Sequence, residues 1–204
     1  HLRNLRSSIV IDNQVLFSWI NDESTVLDLG CGDGEILKTL INKNKITGYG
    51  FEIDPHHIEK CISKGINVIE YDLNNGLQNI KSKSFDFIVM SQTLQTLNAP
   101  HTMLSEMLRI GEKCIVTFPN FGYWRTRFSL LISGRMPVTK QLRYQWYDTP
   151  NIHLFTYKDF ELLCEEQSIN ILKKEFVGSS FSAPFRRLSA NLFAQTAVYL
   201  LSSK

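Results

Sequence analysis

The sequence predicts an α/β fold, doubly wound, in which a parallel sheet is covered by helices on both faces. Three observations predict it. A short apolar run is stopped by glycine and followed at once by an amphipathic helix. A second strand leads through Asp54-Pro55 into a second helix, and strand-like and helical runs keep alternating as far as Phe118. Parallel neighbours need crossover connections, and those are usually helices, so this alternation marks a parallel sheet.

Residues 1–21 read as an amphipathic lead-in helix. Arg3, Arg6 and Asp12 are mixed with Ile9, Val15, Leu16 and Trp19, without the unbroken apolar core of a signal peptide. After the turn residues Asn21, Asp22, Glu23 and Ser24, residues 25–29 form a buried strand that Gly30 ends. Ile36, Leu37, Leu40 and Ile41 recur at helical spacing over 35–42. A second strand spans 46–53. Asp54 then offers an N-cap oxygen and Pro55 a preset first helical position, for a helix through Ile58, Cys61 and Ile62 that Gly65 can end. Strands follow at 67–71, 85–91 and 113–118, with a helix carrying Met103, Leu104, Met107 and Leu108 before the last of them.

Beyond Phe118 the rhythm changes. Residues 119–152 are rich in aromatics, arginine, proline and glycine, with one clear apolar patch at 130–132, and the stretch is too long for a plain connector. Regular structure resumes at Thr156, which can cap a helix with Asp159 as the reciprocal partner while Phe160, Leu163 and Cys164 share one side. Two strands, 169–176 and 191–201, are joined by a loop holding Gly178, Pro184, Arg186 and Arg187. The expected organisation is one domain over 1–204, with a ligand-binding half at 22–118, a lid or partner segment at 119–155 and closing elements at 156–204.

At 204 residues the chain is long enough to bury a substantial core. With 43% hydrophobic and 21% charged residues and no long apolar run, no membrane span is expected. Cys31, Cys61, Cys114 and Cys164 stand far apart in sequence without metal-ligand spacing, so they read as reduced thiols of a cytoplasmic protein, and no metal is expected. A formal charge of +2 is too mild to argue for nucleic acid; Arg125, Arg127, Arg135, Lys140 and Arg143 form a local basic cluster, which is more often a solvated face.

The strongest chemical signal is Val26-Leu27-Asp28-Leu29-Gly30-Cys31-Gly32-Asp33-Gly34, a buried strand running into a glycine-rich turn. Glycines let backbone approach a ligand closely. Dinucleotide and phosphate sites use the same turn, and the acids distinguish them. Asp28 stands before the turn and Asp33 and Glu35 crowd the helix N-terminus, where they would repel a phosphate but suit a ligand with ammonium and sulfonium groups. Glu52 ends the second strand at the interval where an acid meets a ribose diol. It has no evident structural task, whereas capping already accounts for Asp54. Asp72 ends the third strand, where it can accept from an adenine amino group while Leu73 or Ile53 packs on the ring, or can cap the loop through Asn74, Asn75 and Gly76. Ser91 and Gln92 place polar side chains at the carboxyl edge of the fourth strand. Cys31, inside the turn, reads as a space-filling lining residue rather than a nucleophile.

This ensemble resembles the class I S-adenosylmethionine-dependent methyltransferases, through Asp28 to Gly34, Glu52, Asp72 with Leu73, and Phe85-Asp86. The resemblance implies a Rossmann-like sheet of seven strands with the last antiparallel, and S-adenosylmethionine or S-adenosylhomocysteine as ligand. Further along, Ser91-Gln92-Thr93-Leu94-Gln95, Phe118-Pro119-Asn120-Phe121-Gly122, Gly134-Arg135-Met136-Pro137-Val138-Thr139 and Trp146-Tyr147-Asp148-Thr149-Pro150-Asn151-Ile152-His153 are similar to the MetW family of bacterial methionine biosynthesis. That similarity runs over 22–175 and implies a role beside a homoserine O-acyltransferase. The alternative is methyl transfer to an unidentified small molecule.

Methyl transfer from a sulfonium is an in-line displacement, so positioning supplies most of the acceleration and a base is needed only when the acceptor must lose a proton. No catalytic residue is assigned. His153, with Tyr123, Tyr147 and Asp148 as prospective neighbours, is the one histidine in a distinctive segment, and a structural hydrogen bond explains such a histidine more simply. Trp124, Phe128, Tyr144 and Trp146 give residues 121–147 three readings, a pocket lid, a partner surface or aromatics folded onto the core; core packing is the simplest account of any single one, while the segment as a whole is divided between lid and partner surface.

Overall fold

The structure is a computed structural model that describes residues 14–139, 142, 144–178 and 190–204. A helical segment α1 at 14–19 leads into β1 (Thr25–Leu29), α2 (Glu35–Asn44), β2 (Thr47–Glu52), α3 (Pro55–Ser63) and β3 (Asn67–Glu70). There follow β4 (Phe85–Ser91), α4 (Pro100–Ile110), β5 (Gly111–Pro119), α5 (Trp124–Ser133), α6 (Tyr157–Glu166), β6 (Asn170–Val177) and β7 (Thr196–Ser202). The seven strands form one sheet in the order β3-β2-β1-β4-β5-β7-β6. All pairings from β3 through β5 are parallel, and β7 is antiparallel to both β5 and β6.

Side chains alternate across each strand, so the near-continuous apolar runs of the central strands feed two cores. Leu27, Leu29, Ile88, Met90, Val116 and Phe118 pack beneath α4 and α6, against Met103, Met107 and Phe160. Val26, Phe87, Val89 and Ile115 face the other way, against Leu16 of α1, Leu37 and Leu40 of α2, and Cys61 of α3. The edge strands β3 and β6 are largely exposed and polar, which suits the unpaired rim of a sheet.

The caps follow the sequence. Asp54 Oδ1 accepts from His56 N at 2.9 Å and Pro55 opens α3. Thr156 and Asp159 form the reciprocal capping box that starts α6. Two expectations change, and one contact is new. The stretch after Phe118 contains the helix α5, anchored at Gly134, which takes the left-handed conformation at φ +62° that glycine tolerates. Residues 190–193 are helical, so the final strand begins at Thr196 rather than 191. Cys31 and Cys61, distant in sequence, meet with sulfurs 3.9 Å apart. The lead-in residues 1–13, Lys140, Arg143 and the loop with Pro184, Arg186 and Arg187 lie outside the described residues.

Because the chain moves outward from β1 through β2 to β3 and then returns to β4 on the opposite side, strand order reverses between β1 and β4. In open α/β sheets the crevice at such a reversal, outside the carboxyl ends of the strands, is where ligands bind.

Candidate functional site

The glycine turn leaves β1 at that crevice. Gly30 and Cys31 donate their backbone N–H groups to Phe51 O at 2.9 and 3.0 Å, which bolts the turn to the end of β2. Gly30, Gly32 and Gly34 all have positive φ, between +55° and +76°. A side-chain carbon on Gly30 would meet the Thr93 hydroxyl at 2.6 Å, so the segment after β4 packs directly on the turn. At Gly32 the same carbon would meet nothing within 4 Å, so backbone here borders open space. Thr93 is a neighbour that sequence reading missed, because its contact partner lies far away along the chain.

Asp28, on β1 just before this turn, is fully buried, and neither carboxylate oxygen has a hydrogen-bond partner. Desolvation, and then the nearby Glu52 carboxylate, push its pKa up to about 7. Burying an unpaired carboxylate is costly, and folds retain one where something else offsets the cost. It is the least satisfied group of the crevice.

Glu52 is arranged in the opposite way. Oε1 accepts from Ile53 N at 2.9 Å and Asp54 N at 3.0 Å, and Oε2 accepts from Gly32 N at 2.8 Å. Its expected lack of a structural task is therefore corrected: it ties the glycine turn to the end of β2. A carboxylate has about four acceptor positions, so roughly one remains, on Oε2, for a ligand hydroxyl. Asp72 also has a structural task. Its Oδ1 accepts from Asn74 N at 2.9 Å and Asn74 Nδ2 at 3.1 Å, capping the short turn Leu73–Asn75.

The apolar candidates divide. Ile53 is 56% exposed beside the crevice, whereas Leu73 is buried in the core beneath it. Ser91 Oγ pairs with Thr117 Oγ1 at 3.0 Å, and Gln92 turns the chain out of β4 at φ +55°. Cys31 fits over Gly50, where a side-chain carbon would come within 2.5 Å of its sulfur. Burial, the Asp28 charge and the Cys61 thiol push the Cys31 thiol well above its ordinary range, so it is a packing group rather than a nucleophile. Asp33 and Glu35 are not bare acids. Lys64 Nζ lies 3.1 Å from Asp33 Oδ2 and 2.6 Å from Glu35 Oε1, and so offsets the negative charge that the sequence places there.

The prospective base is not assembled. His153 donates its backbone N–H to Gln95 O at 3.0 Å, but its Nε2 is buried without a partner. Tyr123 instead accepts from Gln195 Nε2 at 3.1 Å, and Tyr147 packs edge-on against Trp146. Among the described residues no group of histidine, cysteine or carboxylate side chains is placed to hold a metal ion, and no helix is long and apolar enough to cross a membrane.

Comparison with known proteins agrees with this architecture. The family model described as "Methionine biosynthesis protein MetW" matches residues 11–201. The chain is 31% identical over 175 residues to the "Bifunctional methionine biosynthesis protein MetXA/MetW" of Rhodopirellula baltica, a match that takes in 81% of this chain and 28% of that relative. Among solved structures, an S-adenosylmethionine-dependent methyltransferase from Archaeoglobus fulgidus superposes with a TM-score of 0.69 at 17% identity, covering 95% of this chain and 93% of the other. A second, from Thermotoga maritima and described as a possible histamine N-methyltransferase, gives 0.67 at 17% identity, covering 98% and 91%. At such identity these two likenesses establish the fold.

Proposed function

We propose a function for a chain that belongs to the MetW family of methionine biosynthesis proteins: it binds S-adenosylmethionine or S-adenosylhomocysteine in the β1–β4 crevice and works beside a homoserine O-acyltransferase. The observation that carries the ligand is Asp28. A fully buried carboxylate with two unpartnered oxygens, next to backbone that borders open space at Gly32, fits a cationic ligand that supplies the missing charge. In this reading Asp28, with Gly30, Cys31 and Gly32, receives the ammonium and sulfonium end. Glu52 takes a ribose hydroxyl with its remaining acceptor position. Ile53 covers one face of the adenine above the Leu73 floor, Asp72 takes the adenine amino group, and Ser91 closes the crevice from β4. When bound, S-adenosylmethionine supplies an electrophilic methyl group.

The partner reading rests on the resemblance and on the Rhodopirellula baltica protein, whose name joins MetXA to MetW in one polypeptide. We read that MetXA portion as the acyltransferase. Calorimetry with each ligand on folded protein tests the site, and absence of heat with both removes it. Mixing the purified chain with the acyltransferase tests the partnership: co-elution and an altered rate of acyl transfer support it, and independent migration removes it.

A further inference from the structure

The helix α5 is built inside out. Ten-residue helices are marginal in water by themselves, and in a folded domain they are stabilised by an apolar stripe turned toward the core. The one buried residue of α5 is Thr126. Phe128, Leu131 and Ile132 are 57%, 80% and 70% exposed. At 3.6 residues per turn these three fall on one stripe with Trp124, opposite Thr126. Phe128, Leu131 and Ile132 thus point away from the protein and the small hydroxyl points in, while Trp124, half-buried with its ring edge-on to Tyr123, sits at the base of the stripe.

The helix is nevertheless held firmly at its base. Asn120 Nδ2 donates to Asn191 O and Ala194 O at 3.1 and 3.0 Å, and its Oδ1 accepts from Gly122 N at 3.1 Å. Phe121 N donates to Phe155 O at 3.1 Å, and Arg127 Nε closes the first turn on Gly122 O at 2.6 Å. A firmly anchored helix with an unpartnered apolar stripe has the form used when a helix lies in the groove of another protein.

Charge narrows the occupant. The sequence from Pro119 to Tyr147 carries Arg125, Arg127, Arg135, Lys140 and Arg143 and no carboxylate. Arg125 borders the stripe and lies over the Trp124 ring at 5.4 Å from its centroid, and Arg135, exposed, follows the helix end by two residues. Such a surface complements an apolar groove rimmed by acids and is repelled by a basic one. Tryptophan and arginine are also the residues that most often dominate binding energy at interfaces.

We infer that α5 is the docking helix for the homoserine O-acyltransferase, with Trp124, Phe128, Leu131 and Ile132 entering an apolar groove and Arg125 and Arg135 pairing with carboxylates on its rim. This rests on the partnership proposed above and adds the surface that makes it.

The test compares the whole chain with L131E, I132E and R125E, and with L162E as a control on the exposed side of α6, each titrated with purified acyltransferase. All four positions are exposed, so unchanged melting temperatures are expected. L131E and I132E are expected to weaken binding at least about a hundredfold, the range of an interface anchor. R125E is expected to weaken it about tenfold, with a smaller salt dependence than the parent, and L162E to leave it unchanged. Parent and α5 variants binding alike overturns the inference while leaving the partnership standing. A parent chain that does not bind removes the partnership and this contact together. Two further outcomes overturn the assignment: flotation with phosphatidylserine vesicles, or self-association of the chain, lost in L131E while acyltransferase binding persists.

Discussion

At neutral and higher pH, replacing Asp28 with asparagine should stabilise the ligand-free protein, and the difference between variant and parent should move toward the variant as pH rises. Each tenfold change in proton affinity corresponds to about 1.4 kcal/mol. Holding the Asp28 proton to about pH 7, against an ordinary value of 3.8, makes the ionised form cost on the order of 4 kcal/mol in the folded state. Between those two values the folded chain keeps a proton that the unfolded chain has released, so rising pH opposes folding. Below 3.8 both states are protonated and the penalty is absent, and above about 7 it is complete. Asparagine has no such titration, although its buried amide carries a pH-independent cost of about 1–3 kcal/mol if unpartnered. The difference between variant and parent should therefore shift in favour of the variant by roughly 3 kcal/mol from about pH 4.5 to about pH 8. In thermal melts that is a relative gain of roughly 6–12 °C for a chain of this size. Urea unfolding of both proteins at the two pH values measures it, since titrations common to both cancel. A variant-to-parent difference that does not move with pH would refute the account of Asp28 as an uncompensated carboxylate.

Three other outcomes are expected. Glu52→Ala should lower the melting temperature even without ligand, because Gly32, Ile53 and Asp54 lose a common acceptor, at a cost of about 1–3 kcal/mol or more; an unchanged melt with lost ligand binding would instead make Glu52 a purely ligand-facing group. Thr156→Ala should cost about 1 kcal/mol, read as a lower urea midpoint at constant slope. The double change with Asp159→Ala should cost less than the two singles added, since the two side chains serve each other. Cys31, Cys61, Cys114 and Cys164 are all buried with thiols shifted upward, so a thiol reagent at neutral pH should label the folded chain slowly and the unfolded chain fast. Rapid labelling of Cys31 in the folded state would contradict its role as packing.

What was legible in the sequence was mostly local. β1 ends where Gly30 stops the apolar run, and α3 starts where Asp54 and Pro55 combine, because a cap and a fixed φ act within a few residues. The acids are legible as residues, since Asp28 and Glu52 stand at the carboxyl ends of β1 and β2 and Asp72 just beyond that of β3. Their tasks are not. The three amides that Glu52 accepts have no side-chain signature, and Lys64 reaches Asp33 and Glu35 only after α3 has been laid against α2. Cys31 and Cys61 likewise meet only in the folded chain. The helix α5 carries no clear sequence signal because its apolar residues make no inward stripe; Leu130, Leu131 and Ile132 read as one patch, and the packing that normally gives a helix its period is absent. Asn191 to Phe193 read as part of the final strand because their apolar residues run directly into it.

The position of β7 bears on how this protein is made. It lies between β5 and β6 in the sheet, yet it follows both in the chain. On the ribosome, β6 therefore emerges before the strand that joins it to the rest, and during that interval β5 presents an open edge and β6 has no ladder at all. Unpaired edges of this kind are sites of mispairing while synthesis continues. The parallel half from β1 to β5 can assemble as it appears, but the remainder must wait for Thr196–Ser202 to be translated and slotted between two strands already present.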